Sequence, residues 1–221
     1  LAANDLGGGG TATGVLTIAD GADITSDGEV NLTGASGIFT AGNVTTSGGF
    51  VNYNSATTLT DAIDIDTTSG AAAGANVSFE ATIAGGNNNL TIDGGTGGNV
   101  ELVGALTNGG AVLIENANDV TAAAITATSL TQTEGQGTST FNGEIDTTSV
   151  FDGDVDITTT GVGGIVLGGG TINTKGGAVT MNAAVTQSDA MDIDTTNGDA
   201  IGAIVDFTGT IDGGNNNLTI D

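Results

Sequence analysis

The sequence predicts an all-β protein: a parallel β-solenoid, a right-handed β-helix, built from tandem modules of about 64 residues. Three observations carry that expectation. The phrase Phe-x-Ala/Gly-x-Ile occurs at 79–83, 141–145 and 207–211, and Thr-x-Gly-Gly-x-Val-x-(large apolar) at 46–53, 107–114 and 174–181. Residues 61–93 and 189–221 match at 24 of 33 positions without a gap, at an offset of 128. Apolar residues recur in pairs two apart, and the 40 Gly and 38 Thr are poor helix formers.

The pairs run through the chain as Leu16/Ile18, Val30/Leu32, Val51/Tyr53, Ile63/Ile65, Val77/Phe79, Leu90/Ile92, Val100/Leu102 and Val112/Ile114. They continue as Val155/Ile157, Ile165/Leu167, Val179/Met181, Met191/Ile193, Val205/Phe207 and Leu218/Ile220. A period of two puts both members on one face of a strand and the intervening Thr, Asp or Asn on the other. Gly-Gly, Asp-Gly and Asn-rich stretches between the pairs supply the corners. The whole of 1–221 reads as one continuous solenoid: a partial module 1–28, then modules 29–88, 89–152 and 153–221. The middle module is the loosest, with an Ala/Thr-rich stretch at 121–140.

Other β architectures fit less well. Propeller blades usually carry aromatic signatures, and aromatic content here is 3%. Sandwich domains of about 64 residues would each need a bulky core of their own. A solenoid needs only small inward residues, because each strand pairs with its equivalent one coil away. Each module would then hold about three coils of roughly 20–25 residues. Disorder is the alternative for an acidic chain, but 38% of the residues are apolar and they alternate in strands.

The formal charge is −25, from 26 carboxylates against the single cation Lys175. Nucleic acid is excluded as a partner, since phosphates are held by Lys and Arg. Membrane insertion is not expected either, because no apolar run approaches the length of a span. There is no Cys, which removes disulfide scaffolds and thiolate metal sites. The chain opens Leu1-Ala2-Ala3-Asn4 and stops at Asp221, the counterpart of Asp93, and reads as a stretch of a longer repetitive protein.

The phrases Thr-Phe-Asn-Gly-Glu-Ile-Asp at 140–146 and Gly-Gly-Asn-Asn-Asn-Leu-Thr-Ile-Asp at 85–93 and 213–221 carry a resemblance. With the Gly/Asn/Thr/Asp-rich texture around them, they resemble the repeats of filamentous-haemagglutinin-like adhesins and other long bacterial surface proteins. The resemblance covers most of the chain. It implies an exported, extended β-helical shaft at the cell surface or outside the cell, and it brings no catalytic or ligand residue with it.

Candidate sites are few. Asp64/Asp66, Asp154/Asp156 and Asp192/Asp194 place carboxylates at i, i+2 on the outer face of a strand. If equivalent strands stack, such charges lie about 5 Å apart and repel unless a cation or a neutral neighbour intervenes. Ca²⁺ is the natural bridge, and no other cofactor is expected. The alternative is a solvated acidic face staggered among Thr and Asn. The Asn triplets at 87–89 and 215–217 read as turns, with a polar ladder or sugar-binding edge as the alternative. No enzyme is expected: there is no Arg or His, and the Asp pairs repeat as catalytic sites do not. The expected function is structural, the shaft of an extracellular fibre that grows by head-to-tail stacking of copies or by continuing repeats. The second reading is an adhesin whose solenoid face binds surface glycans or a receptor.

Overall fold

The computed structural model describes residues 2–3, 14–69, 73–149, 152–199 and 201–221. Much of the opening stretch of the partial module therefore lies outside the described residues. Every regular element among those described is a β-strand, as the Gly- and Thr-rich composition requires. One coil runs through Ile38–Thr40, Val44–Thr46 and Val51–Tyr53, and the next through Thr57–Leu59, Ile63–Asp66 and Val77–Phe79. Each strand pairs in parallel with its counterpart one coil away: Ile38 with Thr57, Val44 with Ile65, Val51 with Val77. Repeated along the chain, this builds three flat parallel faces of 10, 9 and 10 strands, taken in the order in which a coil meets them.

Register is set by inward rows. On the first face Leu16, Ile38, Thr57, Ile83, Leu106, Ile125, Ile145, Ile172, Ile193 and Ile220 stack one above the next. Coils range from 19 residues, as from Ile38 to Thr57, to 27, as from Ile145 to Ile172. The apolar pairs seen in the sequence form this continuous core; Leu32, Ile65, Val77, Leu90, Ile114, Val155 and Met181 are all fully buried. Tyr53 and Phe79, on neighbouring strands of the third face, stack inside it with ring centroids 4.3 Å apart. Burial pushes the Tyr53 phenol far above its ordinary range; Thr40 offsets this in part, although the two groups do not reach hydrogen-bond geometry.

Strand alternation does not place every polar residue outside. Thr46, Thr67, Thr147, Thr174 and Thr195 point inward at corners and are almost fully buried. Their hydroxyls replace lost ladder bonds. Thr174 Oγ1 donates to the Gly177 carbonyl at 2.6 Å, and Thr46 makes the same bond to Gly49. The repeated Thr-x-Gly-Gly phrase is thus a corner. Its first glycine, Gly48 or Gly176, has φ near +80°, and a Cβ on its second, Gly49 or Gly177, would strike the Gly of the preceding coil within 2.4 Å. The middle copy departs from this pattern, with Asn108 taking the positive φ.

Corners between strands are also held by side chains that imitate backbone. Asn76 Oδ1 accepts the Asn99 N–H at 2.9 Å, Asn99 Oδ1 the Asp119 N–H at 3.2 Å, and Asp119 Oδ1 the Thr138 N–H at 2.7 Å. The Asn triplet divides its work. Asn87 has φ +63 and forms the turn, while Asn89 Oδ1 accepts the Ala111 N–H at 2.9 Å as a ladder rung.

The sequence module and the coil do not share one period. From Phe79 to Phe141 the chain completes three coils and returns to the third face, as the expected three coils per module require. From Phe141 to Phe207 it passes only eight strands, and Phe207 lands on the second face beside Met181. Residues 61–93 consequently lie on the second, third, first and second faces, whereas 189–221 lie on the first, second, third and first. The intervals between strands from Asp66 to Val77, Asp146 to Val155 and Asp194 to Val205 are long and absorb the length difference. The same sequence folds on either set because all three faces ask only for inward residues at i, i+2.

Candidate functional site

The Asp pairs are set by strand register. Asp66 lies between Thr45 and Asp93 on the second face, and Asp64 is level with Asn43 and Thr91. Asp156 lies between Thr131 and Thr180, and Asp192 on the first face between Thr171 and Thr219. Asp154 precedes its strand and accepts the Ala178 N–H at 2.7 Å, while Asp194 is level with Asn173. Neutral neighbours therefore separate most of the carboxylates. Asp66 and Asp93 are the like-charged exception, and Glu115, at a bulge opposite Asp93, joins them. The three predicted pairs do not converge on one another.

Two electrostatic behaviours follow. Desolvation, then repulsion from Asp66 and Asp93, raises the Asp64 carboxyl above its ordinary value; desolvation and repulsion from Asp93, Asp64 and Asp66 raise Glu115. Asp66 is also pushed up by partial burial, but bonds from the Thr68 N–H and hydroxyl, both 2.6 Å, and the Ser69 N–H outweigh this and lower it. Asp194 repeats the arrangement, held down by the Asn197 N–H and by Thr196, each at 2.8 Å. These Asp-Thr-Thr corners close the long loops. Among the described residues, no group of three or more His, Cys, Asp or Glu has the geometry to hold a metal ion.

A different place has the shape of a binding site. A concavity of about 300 Å³ opens on the third face, lined by Phe50, Asn52, Asn76, Val77, Ser78, Glu80 and Glu101. Its floor is Ser78, 6% exposed, at an outward position between Asn52 on one neighbouring strand and Glu101 on the other. Phe50 and Asn76 immediately precede the strands that carry Asn52 and Ser78. Glu80 stands where its strand ends, and the Ser78 hydroxyl donates to its Oε1 at 2.5 Å. Ser78 is shorter than Asn52 and Glu101 on either side of it, and this makes the depression. Its residues come from three stretches, 50–52, 76–80 and 101, on successive coils, and no motif in the sequence marks them. One signal in the sequence does: of the nine positions where 61–93 and 189–221 differ, Asn76/Ile204, Ser78/Asp206 and Glu80/Thr208 line this groove.

Comparison with known protein families, with curated proteins and with solved structures gives no match. The protein is a parallel β-solenoid, and its fold is consistent with repetitive β-helix proteins. Among the described residues, no helix is long and apolar enough to cross a membrane.

Proposed function

We propose that the protein is a structural element, the shaft of an extracellular or cell-surface filament of the filamentous-haemagglutinin-like kind. The observation that supports this most is three parallel sheets of 10, 9 and 10 strands stacked coil on coil over one unbroken core. A solenoid extends along its axis by adding coils, through continuing repeats of the same polypeptide or a second copy stacked head to tail, and heterologous stacking of that kind grows a fibre rather than a closed ring. No enzymatic role belongs to this reading. Electron microscopy of the native material tests it: rods are expected, and isolated compact particles would end it.

The groove on the third face favours a second reading alongside the first, that of an adhesin surface for glycans. Binding on a glycan array, lost on filling the groove, is the expected result; an empty array leaves the shaft alone.

A further inference from the structure

The groove departs from the repeat around it. Four of its residues fall inside the duplicated segment, and only the inward Val77 is kept, as Val205. Phe50 and Asn52 are likewise replaced, by Ala178 and Thr180 at the same offset. The inward Val77 is kept because it packs the core, and among these residues the positions that differ are those that face the groove. The differences also change its chemistry, giving one copy an aromatic ring, two amides and the Glu80 carboxylate, with Glu101 beside them on the next strand.

Its free valences are mostly acceptors. Asn52 Nδ2 reaches Asn31 Oδ1 at 3.4 Å, which leaves Asn52 Oδ1 for a ligand. Glu80 gives one oxygen to Ser78 and keeps the other, and the Glu101 carboxylate is exposed. Asn76 spends its Oδ1 on the Asn99 N–H, so its Nδ2 is the donor of the set. The chain's single cation, Lys175, lies 3.6 Å from Asp199, and no second one exists to neutralise Glu80 or Glu101. A cationic ligand supplies what the protein lacks. Phe50 offers a ring face to C–H groups or to an ammonium.

We infer that this groove binds an amino sugar carrying a free amine, as in a deacetylated amino-sugar polymer. The ammonium sits between Glu80 and Glu101, the apolar face of the ring covers Phe50, and ring hydroxyls bond to Asn52 and Asn76. A lysine side chain would use the carboxylates and the phenyl ring but leave both amides without a role. A chelated metal is disfavoured, since the groove offers only two carboxylates and the described residues form no group fit for an ion. The volume suits one or two pyranose rings, at the lower end of ligand-sized clefts. This inference deepens the adhesin reading and is independent of the shaft.

Calorimetric titration of the protein with the fully deacetylated glucosamine tetramer, at physiological salt, tests it. One site per chain is expected, with the N-acetylated tetramer binding about tenfold more weakly, the loss of one charge-assisted hydrogen bond. Phe50→Ala, Glu80→Gln and Glu101→Gln should each weaken binding by a similar factor, and Ser78→Leu, which fills the floor, should abolish it. Asp192→Asn, which removes a carboxylate on another face, should leave binding unchanged; melting curves confirm that each variant is folded. Several weak sites per chain, or an equal loss in Asp192→Asn, would show diffuse attraction to a polyanion and overturn the inference. Tighter binding of tetralysine would also overturn it, in favour of a protein partner. A neutral glycan bound in its place would overturn the amino-sugar assignment and spare the adhesin reading; no glycan bound at all would end both.

Discussion

Asp64 and Asp66 stand two residues apart on one strand and titrate in opposite senses. Asp66 and Asp194 have lowered values, so their contribution to stability is present above the unfolded value and is lost as pH falls through the folded one. Asp64 and Glu115 have raised values, so the stability they lend is present in acid and is lost as pH rises through the folded value. Asp64→Asn should therefore raise the melting temperature at neutral pH and lose that advantage in acid. Asp66→Ala should lower it at neutral pH by the equivalent of about 1–3 kcal/mol, the cost of leaving N–H groups of the Thr68 corner unpaired. Melting curves across pH check both, and the same sign for the two variants would contradict the assignment. The buried threonines extend this logic. Thr67 Oγ1 donates to the Ala75 carbonyl at 3.0 Å and accepts the Ala75 N–H at 2.9 Å, closing a long loop. Thr67→Val keeps the shape and should cost about 1–3 kcal/mol in denaturant melts. The Thr-x-Gly-Gly phrase was legible as a repeat. That its Thr points inward in the first and third copies was not, because alternation alone assigns polar residues to the outside, and corner bonding is visible only once the chain has turned.

At the scale of the strand, the narrow core makes each large side chain count. Phe79 fills the space beside Tyr53 and is 1% exposed, so Phe79→Ala should destabilise by about 3–5 kcal/mol. Tyr53→Phe should be close to neutral or stabilising, since the buried hydroxyl has no hydrogen-bond partner to lose. Equilibrium unfolding of the two variants separates packing from polarity. The strands themselves were legible from the apolar pairs, including those on which coils later close, because period two survives in segments of three or four residues. The Ala/Thr-rich stretch at 121–140 was the least legible, and it folds into short coils in which Ala122 and Ala127 take inward places. The groove escaped notice for a related reason: it depends on strand pairing that brings Asn52, Ser78 and Glu101 side by side, and pairing register is a property of coil length rather than of local pattern.

Across the whole molecule, nine coil-to-coil steps from Leu16 to Ile220 make a rod of roughly 43 Å at the usual strand spacing. Because the duplicated segment returns on a different set of faces, features it carries are displayed around the rod instead of along one side. The charge of −25 coats that rod with little internal compensation. Divalent cations should raise the melting temperature by condensing on it, and magnesium should match calcium, since the carboxylates are staggered among Thr and Asn. A rise specific to calcium, abolished in Asp64→Asn/Asp66→Asn, would instead place a chelated ion there. Electron cryo-microscopy of the native assembled material tests whether the parallel solenoid continues as a shaft. Rods with an axial repeat of about 4.8 Å and strands perpendicular to the long axis are expected; rods whose strands run along the axis, or particles no longer than a single chain, would rule the shaft out.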